Sequence, residues 1–352
     1  MKVGIYDPYL DDLGGGEKYI TSIAECLSED NNVTIFWDNE EDFKKLKHRF
    51  SLGLSKVKLS KNIFSKDVGF LKRLNESKKY DLLFVLSDGS IPFVASKLYV
   101  HIQQPLPFVR ASVKAKLKIR RVAEFIYNSK FTKSYADKTF GVKGVVLYPP
   151  VEVKTKDVKK ENIVLTVGKF RYKNIPLDDF KKQTVMIGAF KNMVEEGLRG
   201  WKLVIVTGCT KKDEPELDRI KKTAKGYPIE FLINQESNEL WDIYSRSKIY
   251  WHAAGYGENL NEHPEYAEHF GISTVEAMGA GAVPIVINAG GQKEIVEKGS
   301  GFLWDTLEEL KNRTEELVKD KILLERMSES AQRRAKFFSG ERFCKELREI
   351  IK

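Results

Sequence analysis

Two apolar runs, residues 249–254 and 282–287, bracket the stretch that most restricts what this chain can fold into. Each has the length of a strand buried on both faces of a parallel sheet. Between them a long polar loop leads to Phe270-Gly271-Ile272, where a helical pattern opens, and after the second run Gly290-Gly291 makes another turn at a helix start. A unit that reads strand, loop, helix, strand, turn, helix belongs to α/β layer architecture. Two carboxylates, Glu268 and Glu276, stand eight residues apart across the Gly271 turn.

The same alternation runs through the chain. Residues 3–6, 33–37, 56–59, 80–86, 98–102, 125–128 and 145–148 read as strands separated by helical or basic segments, which predicts a parallel sheet covered on both faces. Tyr148-Pro149-Pro150 stops the pattern, and the charged stretch 154–160 reads as a linker. Residues 163–167 open a second run, with strands at 202–206 and 229–233 and helices near 184–195, 213–225 and 237–246. The expected domains are 1–150 and 151–338, followed by a helix over 339–352. That helix is amphipathic through Phe343, Leu347, Ile350 and Ile351 and needs a partner surface.

A length of 352 residues suits two domains, each with its own core. No apolar run reaches the length of a membrane span, and the N-terminus enters a strand rather than a signal peptide. Cys26, Cys209 and Cys344 lack paired spacing. They argue against a disulfide framework or a zinc site and suit a reducing cytoplasm. The net charge of +9 is concentrated: residues 97–143 hold eleven Lys and Arg against two acids, Glu124 and Asp137. Such a window suits nucleic acid, an anionic lipid surface or a phosphorylated acceptor.

The Gly271 turn carries specific chemistry. Unpaired amides of Gly271, Ile272 and Ser273 at a helix start, with the helix dipole behind them, favour an anion such as a diphosphate. Carboxylates accept hydrogen bonds from paired hydroxyls, so Glu268 and Glu276 would grip sugars on either side of it, the outline of a nucleotide-sugar. Ser273-Thr-Val-Glu276 equally fits a capping box, with Glu276 reaching back to its own backbone.

The longer string resembles the donor-binding signature of the group 1 family of retaining GT-B glycosyltransferases. It comprises Glu268 and Glu276 with Phe270-Gly271 inside, Glu276-Ala-Met, Pro284 and Gly290-Gly291-x-x-Glu294. The resemblance covers nearly the whole length and implies two Rossmann-like doubly wound domains facing a central cleft. It further implies a C-terminal helix packed back on the first domain and a retaining hexosyl transfer without metal or other cofactor. The donor would be a GDP- or UDP-linked sugar, mannose on GDP being the first choice, and the acceptor a glycan or polyprenyl-linked glycan. No carboxylate stands out as an obligatory nucleophile, so a front-face displacement is the provisional mechanism.

Residue by residue, Glu276 is expected to bind ribose, and Glu268 the transferred sugar. Lys169 stands where the family has an Arg, and Lys181 opens KKQTVMIGAF, which aligns with the family's Lys-Gly-x-x-x-Leu-Ile-x-Ala-Phe; both would offset the diphosphate charge. The spacing is longer than usual, so Arg171, Lys173 or Lys182 are open alternatives. Phe270, Gly271 and Ile272 would line the donor site, and Gly290 and Gly291 would bring amides to the sugar, with Gln292 or Glu294 near its hydroxyls. Gly15 and Gly16, in the contiguous Gly14-Gly15-Gly16 turn, would let backbone approach the donor; an unliganded turn is the plain alternative. His101 is expected at the carboxyl edge of the first sheet, contacting the sugar, and a structural hydrogen-bonder is the plain alternative. His252, His263 and His269 surround Glu268, but their spacings match no zinc motif.

Residues 109–121 interleave Lys114, Lys116, Lys118, Arg120 and Arg121 with apolar side chains. As a helix they would lie on an anionic membrane or meet the acceptor, or else form a solvated basic face. A peripheral, cytoplasmic protein on the inner face of the membrane is expected. Two other classes stay open: a GT-B phosphorylase using inorganic phosphate, for which the chain is short, and a non-catalytic basic scaffold for nucleic acid or anionic lipid. The second leaves the Glu268 string idle, and nucleic acid is the weaker partner.

Overall fold

The computed structural model describes residues 1–12, 14–50, 53–107, 109, 113–154, 156, 158–170 and 179–352, with only the backbone of Val113 and Lys114. Two compact units emerge, Met1–Pro150 with Gly340–Lys352, and Val151–Ser339.

Seven strands form the sheet of the first unit: β1 Lys2–Tyr6, β2 Asn32–Phe36, β3 Lys58–Ser60, β4 Leu82–Leu86, β5 Lys97–Ile102, β6 Val122–Tyr127 and β7 Val145–Val146. Their order is β3-β2-β1-β4-β5-β6-β7, parallel throughout. Apolar runs such as Leu-Leu-Phe-Val-Leu of β4 are buried along their whole length because helices cover both faces. The helix Gly15–Ser28 turns Tyr19, Ile20, Ile23 and Leu27 inward. Onto the same core packs the C-terminal helix Gly340–Ile351, through Phe343, Leu347 and Ile351.

This return of the chain end corrects the reading of the cysteines. Cys26 and Cys344 are joined in a disulfide, with Cα atoms 5.4 Å apart across a sequence separation of 318. Spacing along the chain carried no sign of it, because the two helices meet only in the folded unit. Cys209 is free and buried.

The second unit has six parallel strands: β8 Glu161–Lys169, β9 Lys202–Gly208, β10 Ile229–Ile233, β11 Ser247–His252, β12 Val283–Ile287 and β13 Phe302–Trp304. The order β10-β9-β8-β11-β12-β13 places the topological switch between β8 and β11. Ligands of doubly wound sheets bind beyond the carboxyl ends of such strands. Its core includes Trp251, Trp304 and Phe190, and the Trp251 indole N–H donates to Thr314 Oγ1 at 3.1 Å.

Two helices that periodicity did not single out, Leu307–Lys319 and Lys321–Ala335, complete this unit. Charged residues dominate both, but Thr306 and Asp320 cap them. Residues 154–160 lack regular structure where described, yet they do not run free. Lys160 donates to the carbonyls of Ser247 and Ala280, at 2.7 Å each, and neighbouring Val153 fills the space beside Gly279.

Candidate active site

At the switch point β8 ends in Lys169 and β11 ends in His252. Beyond them the chain gathers an acid, a cation and an imidazole at one atom: Glu268 Oε2 accepts from Lys181 Nζ at 2.5 Å and from His252 Nε2 at 2.8 Å. Burial alone would raise the Glu268 carboxyl, but the Lys181 ammonium and the His252 hydrogen bond outweigh it. They hold the carboxyl well below its ordinary range. Glu268 Oε1 accepts no hydrogen bond among the described residues. The stem of Lys181 lies across Gly168, where an added Cβ would come within 3.0 Å of Lys181 Cγ.

Lys182 pairs with Glu258. Both Asp179 and Lys182 have left-handed backbone, with φ of 50° and 55°. The Asp179 carboxylate accepts from the amides of Gln183 and Thr184, at 2.8 Å each. The helix Gln183–Glu195 therefore carries its own anion at its start, and the lysines before it point elsewhere. Arg171 and Lys173 lie outside the described residues.

Across the site, Gly271 is the N-cap of the helix Ile272–Gly279 and has φ 116°. A capping box from Ser273 does not form, because the N-cap is Gly271, two residues before Ser273, and Glu276 stands in the second turn of the helix. The amides of Ile272 and Ser273 have no acceptor among the described residues, as an anion-binding helix start requires. Two buried tyrosines hold this element: Tyr244 donates to Glu276 Oε2 at 3.0 Å, and Tyr250 to Ser273 Oγ at 2.8 Å.

Several expected residues are held by packing. Phe270 is buried with its ring edge-on to Phe338, so its side chain belongs to the core. Gly290 and Gly291 are buried; an added Cβ would meet Glu268 O at 2.2 Å and His269 O at 2.5 Å, respectively. Their glycine character lets two backbone segments touch, and the Gly291 amide donates to Glu268 O at 2.8 Å. Gln292 is fully buried, with its side-chain amide atoms unpartnered among the described residues. His263 and His269 turn to Glu265 rather than to Glu268.

In the first unit His101 is the next-to-last residue of β5, at the carboxyl end of the sheet as expected. It is fully buried, stacked on Tyr19 at 3.9 Å, with Nδ1 3.1 Å from Ile126 O. Gly16 is buried against Gln103, whose amide would lie 2.3 Å from an added Cβ. Gly15 is exposed, and the Gly14 amide donates to Glu17. Asp7, buried beside this turn, is pushed up to about 8 by burial and by the Glu17 charge.

Among the described residues of the basic stretch, Val113–Ile119 form a helix, and residues 110–112 lie outside the described residues. Leu117 is exposed, as are Lys116, Arg120 and Arg121, while Lys118 is half-buried. Arg121 lies over the Phe93 ring at 4.5 Å.

Reasoning from sequence missed Tyr244 and Tyr250 and weighed His252 only as a metal ligand. The signal for His252 was its place at the end of a switch-point strand; for Tyr244 it was the inward face of Ser237–Arg246, shared with Trp241.

One prediction arises directly. Gly271→Ala puts a Cβ 2.5 Å from Gln292 Nε2 at a φ that side chains avoid. It is expected to cost about 1–3 kcal/mol, read by thermal denaturation.

Comparison with known proteins gives the family and the fold. The sequence profile of the glycosyl transferases group 1 matches residues 151–334, more than half of the chain. An α-1,2-mannosyltransferase of Dictyostelium discoideum, named for GDP-Man and Man(3)GlcNAc(2)-PP-Dol, is 21% identical over 100% of this chain and 84% of its own length. The Xenopus tropicalis protein of the same name is 33% identical over 46% of this chain, and the match spans only 34% of that protein. Among solved structures, Anabaena Alr3699/HepE in complex with UDP superposes with a TM-score of 0.72 at 18% identity, covering 100% of this chain and 99% of that one. Such solved neighbours are GT-B glycosyltransferases, and at this identity they bear on the fold. The profile match carries the assignment: this chain belongs to the group 1 glycosyl transferases.

Proposed function

We propose that the chain moves a mannosyl group from GDP-mannose to a lipid-linked glycan, with retention at the anomeric carbon. The observation that carries the donor reading is the cluster Lys181–Glu268–His252 beside the open amides of Ile272 and Ser273. In this reading the diphosphate meets those amides together with Lys181 and Lys169, Glu276 binds the ribose, and Glu268 Oε1 takes a sugar hydroxyl. The anomeric C–O bond breaks and its electron pair leaves with the diphosphate, whose charge the site is built to meet. The acceptor hydroxyl then bonds to the anomeric carbon on the same face, and its proton passes to the departing phosphate oxygen. The names of the Dictyostelium and Xenopus relatives support GDP-mannose and a dolichol-linked acceptor. A solved neighbour holds UDP, which makes UDP-glucose the competing donor.

Acceptor binding falls to the first unit and donor binding to the second. Exposed Leu117 among Lys116, Lys118, Arg120 and Arg121 supports attachment to an anionic membrane surface. Among the described residues no helix is long and apolar enough to cross a membrane.

The test is thermal unfolding with GDP, UDP, ADP and their sugar conjugates. A ligand at about 100 times its Kd adds about 2.7 kcal/mol to the folded state. GDP and GDP-mannose are expected to raise Tm by several degrees, and Glu276→Ala to abolish the rise. A rise with UDP alone would change the donor, and no rise with any of them would remove the donor site.

A further inference from the structure

We infer that His252 is a positioning residue: its neutral imidazole donates the Nε2 proton to Glu268, keeping that carboxylate anchored when the Lys181 ammonium turns to the donor diphosphate. This rests on the donor reading above and adds a residue to which that reading gives no task.

Lys181 is the adjustable partner. Its ammonium sits on a four-carbon stem with 23% side-chain exposure and carries three N–H donors, so it can be drawn to a phosphate oxygen. His252 is the fixed one. It ends a central strand of the sheet, and its side chain is 3% exposed. Both donors meet Oε2 of Glu268. One oxygen is thereby clamped while the other is presented.

The tautomer follows from the surroundings. Nδ1 of His252 is buried with no hydrogen-bond partner among the described residues. A proton there would be an unsatisfied buried donor, and the Nε2 lone pair would face carboxylate lone pairs. The proton therefore sits on Nε2. Burial also depresses the imidazole's proton affinity, against the pull of the Glu268 charge, and so favours the neutral ring. Its role differs from that of a second lysine: it orients Glu268 without competing for the diphosphate. The titratable groups bearing on Glu268 are Lys181 and His252 in contact, and His269 and Tyr250 at longer range.

Two variants separate orientation from packing. His252→Gln can present an amide N–H near the Nε2 position; His252→Leu fills the space with no donor. Should the leucine variant fail to fold, His252→Asn, whose amide falls near Nδ1, takes its place. Calorimetric titration with GDP and GDP-mannose, and with UDP and UDP-glucose, is paired with kcat/KM against pH. The leucine variant is expected to bind the nucleoside diphosphate within about twofold of wild type but the nucleotide-sugar about tenfold more weakly. The acid limb of its kcat/KM profile is expected to move to higher pH, because Glu268 has lost a donor to its charged form. The glutamine variant is expected to restore most of both. Equal weakening of diphosphate and nucleotide-sugar, or identical behaviour of the glutamine and leucine variants, would reduce His252 to a packing role. Absence of any nucleotide binding by the wild-type protein would instead overturn the donor reading, and this role with it.

Discussion

Lys181→Ala is expected to lower kcat/KM by about 100- to 1000-fold, measured by steady-state transfer from the donor that stabilises the wild-type protein. Two losses fall together in this variant. In the proposed reading the departing diphosphate loses an ammonium held ready for it, and among the described residues Glu268 loses its counter-ion and keeps only His252. The direction with pH follows. Glu268 is held well below the ordinary carboxylate range, so the stability it lends is present above the unfolded value and is lost as pH falls through the depressed one. Without Lys181 that loss begins at higher pH. Glu268→Gln combined with Lys181→Ala is expected to cost less than the sum of the two, because the residues share one contact. A kcat/KM within about twofold of wild type for Lys181→Ala would move the diphosphate role to Lys169 or Lys182.

Phe343→Ala is expected to destabilise the first unit by about 3–5 kcal/mol, with Tm falling by about 6 °C or more for a unit of this size. The side chain is fully buried, and its ring meets Tyr19 edge-on at 5.3 Å. Tyr19 in turn stacks on His101, so the cavity would open beside that stacked pair. Lys345, two residues on and exposed, supplies the control; its alanine variant is expected to change stability by less than about 0.5 kcal/mol. Thermal or urea unfolding under non-reducing conditions keeps the Cys26–Cys344 bond in place and isolates the packing effect. Equal effects of both substitutions would mean that the C-terminal helix contributes nothing to that core.

Wherever one physical signal dominated, the sequence was legible. Short apolar runs of Val, Ile and Leu alternating with amphipathic segments can be buried only as parallel strands under helices, and β1, β2, β4, β8, β11 and β12 stand where that pattern put them. The i, i+4, i+8 spacing of Phe343, Leu347 and Ile351 disclosed the buried face of the last helix. It was less legible where charge masked burial, as in Leu307–Lys319 and Lys321–Ala335, whose inward stripes are thin among Lys, Glu and Arg. The glycines could be marked as turns, but not what they touched. Gly290 and Gly291 serve the packing of the Glu268 loop, and Gly168 the lie of Lys181.

By itself the sequence determined the layer architecture, the Gly271 helix start and the family string, because these rest on local periodicity and on neighbours along the chain. Tertiary structure alone decided which side chains share an atom. Lys181, His252 and Glu268 come from three separate segments and converge only because β8 and β11 are neighbours at the switch point. The same holds for Tyr244 on Glu276, and for Cys26 with Cys344. A hydrogen bond or disulfide depends on separations of a few ångströms in space, and linear spacing does not encode those once the chain has crossed between elements.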